Sequence, residues 1–107
     1  MYRKGTIVLV PFPFTDLTGN KVRPALIISA NRIGQDLLVV FITSQKKKQT
    51  HTVKLEPSES SGIKIASHIV CSKIATLDKK VVLGELGMIS ENDQKAVDEV
   101  LREVIGL

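Results

Sequence analysis

The sequence predicts a mainly β, α+β chain: a small barrel with a C-terminal helix covering one side. Three observations predict it. About six short apolar runs, separated by turn formers, fill the chain before Ser90. After Ser90 the apolar residues change to a helical period. The length of 107 residues, 43% of them hydrophobic, suits one core, so residues 1–107 are expected to be a single domain.

Gly5-Thr6 leads into Ile7-Val8-Leu9-Val10, a run rich in β-branched residues. Pro11 and Pro13 follow, and each removes a backbone donor. This stretch is therefore expected at a strand end or a sheet edge and not in a central strand. Thr15-Asp16-Leu17-Thr18-Gly19-Asn20 is a dense cluster of turn formers. Pro24-Ala25-Leu26-Ile27-Ile28 and residues 37–42 are short, continuously apolar runs. That pattern fits strands buried on both faces or at a dimer contact. Residues 44–50 form a polar loop holding Lys46-Lys47-Lys48, and Thr52-Val53-Lys54-Leu55 alternates as a half-exposed strand does. Residues 56–62 read as loop. Residues 68–76 and 80–86 are expected as two more strands, joined by a turn at Leu77-Asp78-Lys79.

Ser90-Glu91-Asn92-Asp93 has the form of a helix start, with Ser90 as N-cap and acids in the first turn, where the helix dipole favours them. Ala96, Val97, Val100, Leu101, Val104 and Ile105 recur at helical spacing, and Gly106 is placed to end the helix.

Several classes are excluded. The longest apolar run, residues 7–14, has eight residues including two prolines, far short of the roughly 20 a spanning helix needs. No secretory leader opens the chain, so the cytoplasm is the expected compartment. The single cysteine, Cys71, rules out an intrachain disulfide and a multi-cysteine zinc site. No phosphate-binding glycine loop, H-E-x-x-H motif or acid cluster at metal-ligand spacing is present, so neither a metal nor another cofactor is expected. Tyr2, Phe12, Phe14 and Phe41 are too few for a surface built on base stacking.

Charge is unevenly distributed. Residues 1–84 hold 13 Lys/Arg against 5 Asp/Glu, whereas residues 85–107 hold 2 against 6. A basic body suits an anionic partner, either nucleic acid or an acidic protein, and equally describes a soluble basic domain with no such partner.

Two polar segments abut the apolar runs. In the first, Arg23 stands between Val22 and Pro24. A planar guanidinium there is suited to bidentate phosphate contact, or to an ion pair with Asp16 or the acidic helix. In the second, Thr43-Ser44-Gln45 ends an apolar run with three hydrogen-bonding side chains. These suit a phosphate or a ribose hydroxyl, or an ordinary passage from strand to loop. His51 and His68 are candidate proton shuttles, although neither has triad spacing around it. His68 reads more simply as a surface strand residue. Lys46, Lys47 and Lys48 form a solvated loop unless a nucleic acid passes nearby.

Taken in order, Gly5-Thr6-Ile7-Val8-Leu9-Val10, Arg23-Pro24-Ala25-Leu26-Ile27-Ile28-Ser29 and Ile42-Thr43-Ser44-Gln45 resemble the MazF/PemK toxin family. Ser61-Gly62, Thr76-Leu77-Asp78-Lys79 and Leu83-Gly84-Glu85-Leu86 continue the resemblance over nearly the whole chain. Pro11-Phe12-Pro13-Phe14-Thr15-Asp16 looks like a common variant of the family's first loop. The resemblance implies a homodimeric SH3-like barrel with a C-terminal helix. It implies a metal-independent endoribonuclease toxin of a type II toxin–antitoxin system, cutting single-stranded RNA at short sequences. The implied partner is a cognate antitoxin with an acidic, partly disordered tail.

The implied chemistry is attack of a ribose 2′-hydroxyl on the adjacent phosphorus, leaving a 2′,3′-cyclic phosphate and a 5′-hydroxyl. Arg23 matches the family's catalytic arginine and Thr43 its catalytic threonine. A guanidinium is a poor base, which assigns Arg23 mainly to charge stabilisation. The residues expected to contact RNA are Asn20, Lys21, Ser44, Gln45, Lys46, Lys47, Lys48 and His51. Where the family often has an acid, a Gln and an Arg, this chain has Ser72, Lys73 and Ala75. Ser72 does not replace a carboxylate as a base, and this leaves a second reading open: a barrel that binds RNA or protein without completing the chemistry.

Overall fold

The computed structural model describes residues 2–12, 21–30, 33–45 and 50–107. Six strands form one antiparallel sheet: β1 (Thr6–Phe12), β2 (Lys21–Ile27), β3 (Asp36–Thr43), β4 (Thr52–Leu55), β5 (Ser67–Asp78) and β6 (Gly84–Met88). The spatial order is β4-β5-β3-β2-β1-β6, curled into a half-barrel. A 3₁₀ turn at Lys79–Val81 joins β5 to β6, and helix α1 (Glu91–Ile105) follows.

The apolar runs are continuous because the sheet is buried on both faces. Side chains alternate across a strand, so consecutive residues enter different cores. Ile7, Leu26, Val40, Ile42 and Ile69 join one cluster, capped by Val97 and Leu101 of α1. Val8, Val10, Ala25, Ile27, Leu37 and Val39 join the other, covered by Tyr2, Val81 and Val82. Together they account for the two-faced burial expected of β2 and β3.

The helix ends are built as the sequence indicates. Ser90 Oγ accepts from the Asp93 N–H at 3.1 Å, and Gly106 adopts φ 83° with its N–H on the Arg102 carbonyl. Ile105 departs from expectation: it is 56% exposed, past the end of the buried stripe.

Two strand expectations are corrected. Pro11 sits at a strand end, as expected, one residue before β1 closes, but β1 is internal and not an edge, since Thr6 to Leu9 pair with β6 while residues 7–12 pair with β2. The prolines are tolerated because of the direction in which their missing donors point. The Leu9 carbonyl turns toward β6, accepting from Leu83 N–H at 2.8 Å. By alternation Pro11 turns the same way, beyond the end of the β6 pairing at Leu9↔Gly84. Pro24, opposite Leu9, turns toward β3, whose pairing with β2 starts only at Ala25. Pro13 lies outside the described residues.

The second correction concerns residues 77–86. β5 runs on through Leu77 and Asp78, and residues 80–86 are not one strand. Asp78 Oδ1 accepts from the Lys80 N–H at 2.9 Å, which caps the 3₁₀ turn and folds Val81 and Val82 over the second core. β6 is then clamped by the turn at residues 58–62. Ser58 Oγ bonds Ser61 Oγ at 2.8 Å, and Met88 N–H reaches the Ser60 carbonyl at 2.8 Å. Gly62 (φ 76°) and Gly87 permit this approach, because a Cβ on either would overlap the facing backbone at Leu86 or Ser60.

Candidate active site

The site candidates collect where the ladder between β2 and β3 ends. That ladder runs Ile27↔Val39, Leu26↔Val40, Ala25↔Phe41. The same register carried two residues further sets Arg23 level with Thr43. Thr43 is in turn the direct partner of His68 on β5, and His68 of Lys54 on β4. Directly opposed residues of an antiparallel pair share a face. Thr43, His68 and Lys54 therefore form a polar row across three strands, on the face opposite helix α1, and the β2–β3 register extended past its last pair brings Arg23 to the same level.

Each member is placed by its neighbours. Arg23 pairs with buried Val10 of β1 and is itself half-buried. Thr43 and His68 are half-buried because Ile42 and Ile69, one residue earlier and later, pin their strands into the helix-side core. Thr43 Oγ1 accepts from the Gln45 N–H at 3.1 Å, so its own O–H remains a donor for a ligand. Lys54 Nζ pairs with Glu56 at 3.2 Å on the open surface. Among the described residues the side chains of Arg23 and His68 make no hydrogen bond or ion pair. The expected alternative of an Arg23 pair with the helix is not what forms. Asp98 of α1 takes Lys4 instead, at 3.0 Å. Asp16, the other candidate, lies outside the described residues.

The remaining candidates divide. Ser44 and Gln45 are exposed, directly after Thr43. Lys21 is exposed at the start of β2, two residues from Arg23. Asn20, Lys46, Lys47 and Lys48 lie outside the described residues. His51 is away from the row: it is three residues along the chain from Lys54, about 10 Å at strand rise. It adopts φ 58°, and its carbonyl accepts from Cys71 N–H at 3.0 Å. This contact lies at an irregularity of β5, where the register jumps from Phe41↔Val70 to Val40↔Ile74. Ser72 and Lys73 bulge out there, exposed, while Ala75 rejoins the second core. His68, a candidate proton shuttle by its sequence that reads more simply as a surface strand residue, is half-buried here, beside Thr43. Its membership of the row depends on pairing between β3 and β5, which no local signal in the sequence specifies.

Cys71 is fully buried in the helix-side core, where burial pushes its thiol up to about 11. It is packing, not chemistry. Among the described residues no three His, Cys, Asp or Glu side chains are grouped so as to hold a metal ion. No described helix is long and apolar enough to cross a membrane.

The fold, a curled six-stranded antiparallel sheet backed by one C-terminal helix, is that of MazF-like proteins. The chain belongs to the family of PemK-like, MazF-like toxins of type II toxin–antitoxin systems, matching it over residues 3–105. A probable endoribonuclease MazF from Mycolicibacterium smegmatis is 26% identical over 90 residues, covering 81% of this chain and 83% of that protein. Among solved structures, an endoribonuclease from a mycobacterial species in complex with its cognate antitoxin superposes with TM-score 0.81. Its identity is 20%, and the match covers all of this chain and 97% of that one. A chain of the MazE–MazF structure from Deinococcus radiodurans gives 0.78 at 22% identity, covering 99% of this chain and 97% of that one.

Proposed function

We propose that this chain is a metal-independent endoribonuclease toxin that cleaves single-stranded RNA in the cytoplasm. The observation that supports it most is the β2–β3 register, which, continued two residues past Ala25↔Phe41, brings Arg23 level with Thr43 in a chain of this family. The reaction needs no activated water, because the nucleophile is the substrate's own ribose 2′-hydroxyl. That oxygen attacks the adjacent phosphorus, the bond to the 5′-oxygen breaks, and the products are a 2′,3′-cyclic phosphate and a 5′-hydroxyl. Negative charge gathers on the phosphoryl oxygens as the fifth bond forms. Arg23 presents a fixed fork of donors to those oxygens, and Thr43 donates its free O–H to one of them. Ser44, Gln45, Lys21 and the basic body hold the flanking backbone.

The working unit is proposed to be a homodimer of one-domain chains. Exposed Val22, Ile74 and Leu83 leave apolar surface for a partner. The antitoxin is proposed to be acidic and to cover the basic face, since relatives of this fold are known in complex with antitoxins.

The test is incubation of the purified protein with a long single-stranded RNA in EDTA, with the new ends mapped. Cyclic phosphate and 5′-hydroxyl ends at recurring short sequences are expected. A second reading, a barrel that binds RNA without cutting it, rests on Ser72, exposed in the β5 irregularity where the family often has an acid. Tight RNA binding with no cleavage under any condition would establish it.

A further inference from the structure

We infer that His68 is the general base of this ribonuclease, filling the role left empty by Ser72. The inference rests on the ribonuclease reading above. Its ground is the direct cross-strand pairing of His68 with Thr43. The Cβ atoms of such a pair stand about 4.5–5.5 Å apart on one face. A ribose–phosphate unit whose phosphoryl oxygen is held by Thr43 and Arg23 therefore has its 2′-oxygen within reach of an imidazole on the next strand.

The surroundings suit the role. His68 is half-buried, and among the described residues no hydrogen bond or ion pair holds its ring. The charged groups facing it are few. Lys54 approaches from β4, already paired with Glu56, and Arg23 stands two strands away on the same face. β3 presents only Thr43 at this level. Helix α1, with Asp98 and Arg102, packs on the opposite face, through Val97 and Leu101 onto Ile69. Among the described residues no carboxylate belongs to the row to serve as base instead. His51 does not fit the same place, since it stands beside Cys71 at the far end of β4.

The step balances simply. The neutral imidazole takes the proton of the 2′-hydroxyl as the bond from that oxygen to phosphorus forms. The bond from phosphorus to the 5′-oxygen breaks, the electron pair leaves with the 5′-oxygen, and a solvent water supplies its proton. Arg23 and Thr43 hold the charge on the non-bridging oxygens throughout.

The experiment is single-turnover cleavage of an RNA oligonucleotide between pH 5 and 9 by the full-length parent, His68→Gln and His68→Ala. Affinity is measured alongside with a 2′-O-methyl RNA, which has no attacking hydroxyl, and thermal stability for each protein. The parent is expected to lose activity toward the acid end of that range, because a general base must be unprotonated to act. His68→Gln is expected to cleave about 10²–10⁴-fold more slowly without that limb, with affinity and stability near the parent's. Added imidazole is expected to restore part of the rate to His68→Ala. Should His68→Gln keep the parent's rate and pH profile while Arg23→Ala loses cleavage, His68 is not the base and the ribonuclease reading stands. His68 is equally excluded if its loss in rate is matched by loss of affinity, or if the limb vanishes in His51→Gln instead. Should the parent make no cuts at all, both readings fall together.

Discussion

Replacing Thr43 with valine separates catalysis from folding more cleanly than any other single change here. The side chain keeps its branched shape and loses only the hydroxyl. That hydroxyl does two things: its oxygen accepts from the Gln45 N–H at 3.1 Å, and its proton is free to donate outward. The first loss is small. Gln45 is exposed, so water replaces the lost acceptor, and the cost to stability is expected at about 0.5–1 kcal/mol. The second loss is larger. A hydrogen bond to a charged group is worth about 1.5–3 kcal/mol, which converts to a rate loss of about tenfold to about 150-fold if it tightens in the transition state. Thr43→Ser, with the hydroxyl retained, is expected to recover most of that rate. The assay is single-turnover cleavage of a defined oligonucleotide, read beside affinity for its 2′-O-methyl analogue and thermal melting. Cleavage by Thr43→Val at the parent's rate would refute the donor role. A parallel collapse of melting temperature and rate would show that the hydroxyl serves the strand end instead.

Arg23→Ala is expected to slow cleavage by about 10²–10³-fold with little effect on melting, and Arg23→Lys to recover little, because an ammonium lacks the planar fork. Gly87→Ala drives a Cβ into the Ser60 carbonyl and is expected to cost about 1–3 kcal/mol, a drop of several degrees in Tm, whereas Gly84→Ala, with open space around its Cβ, is expected to cost far less. Cys71 is expected to resist thiol reagents until the protein unfolds. Its raised pKa keeps the folded thiol protonated where the unfolded one ionises, so stability is expected to fall as pH rises from 9 toward about 11; a flat urea midpoint across that range would contradict it. Binding of an acidic antitoxin peptide is expected to weaken as salt rises, and titration calorimetry at two ionic strengths showing equal affinity would point to an apolar contact.

What could be read from residues alone was local. The Ser90 cap and the terminal Gly106 act within one turn of their own position, so α1 was legible end to end. The strand at Thr52–Leu55 announced itself by alternation, and β2 and β3 by short apolar runs, because a strand's inward residues are set by its own period. The resemblance singled out Arg23 and Thr43 residue by residue. Tertiary structure decided what stands beside them. Pairing between β3 and β5 joins residues 25 positions apart, and a slip of one residue would turn His68 to the other face. No local preference sets that register; the two cores do, by holding Ile42 and Ile69 on the helix side. The prolines teach the same point. Pro11 and Pro24 forbid only a hydrogen bond in one direction, and β1 is internal because the pairing on that side of each proline lies elsewhere.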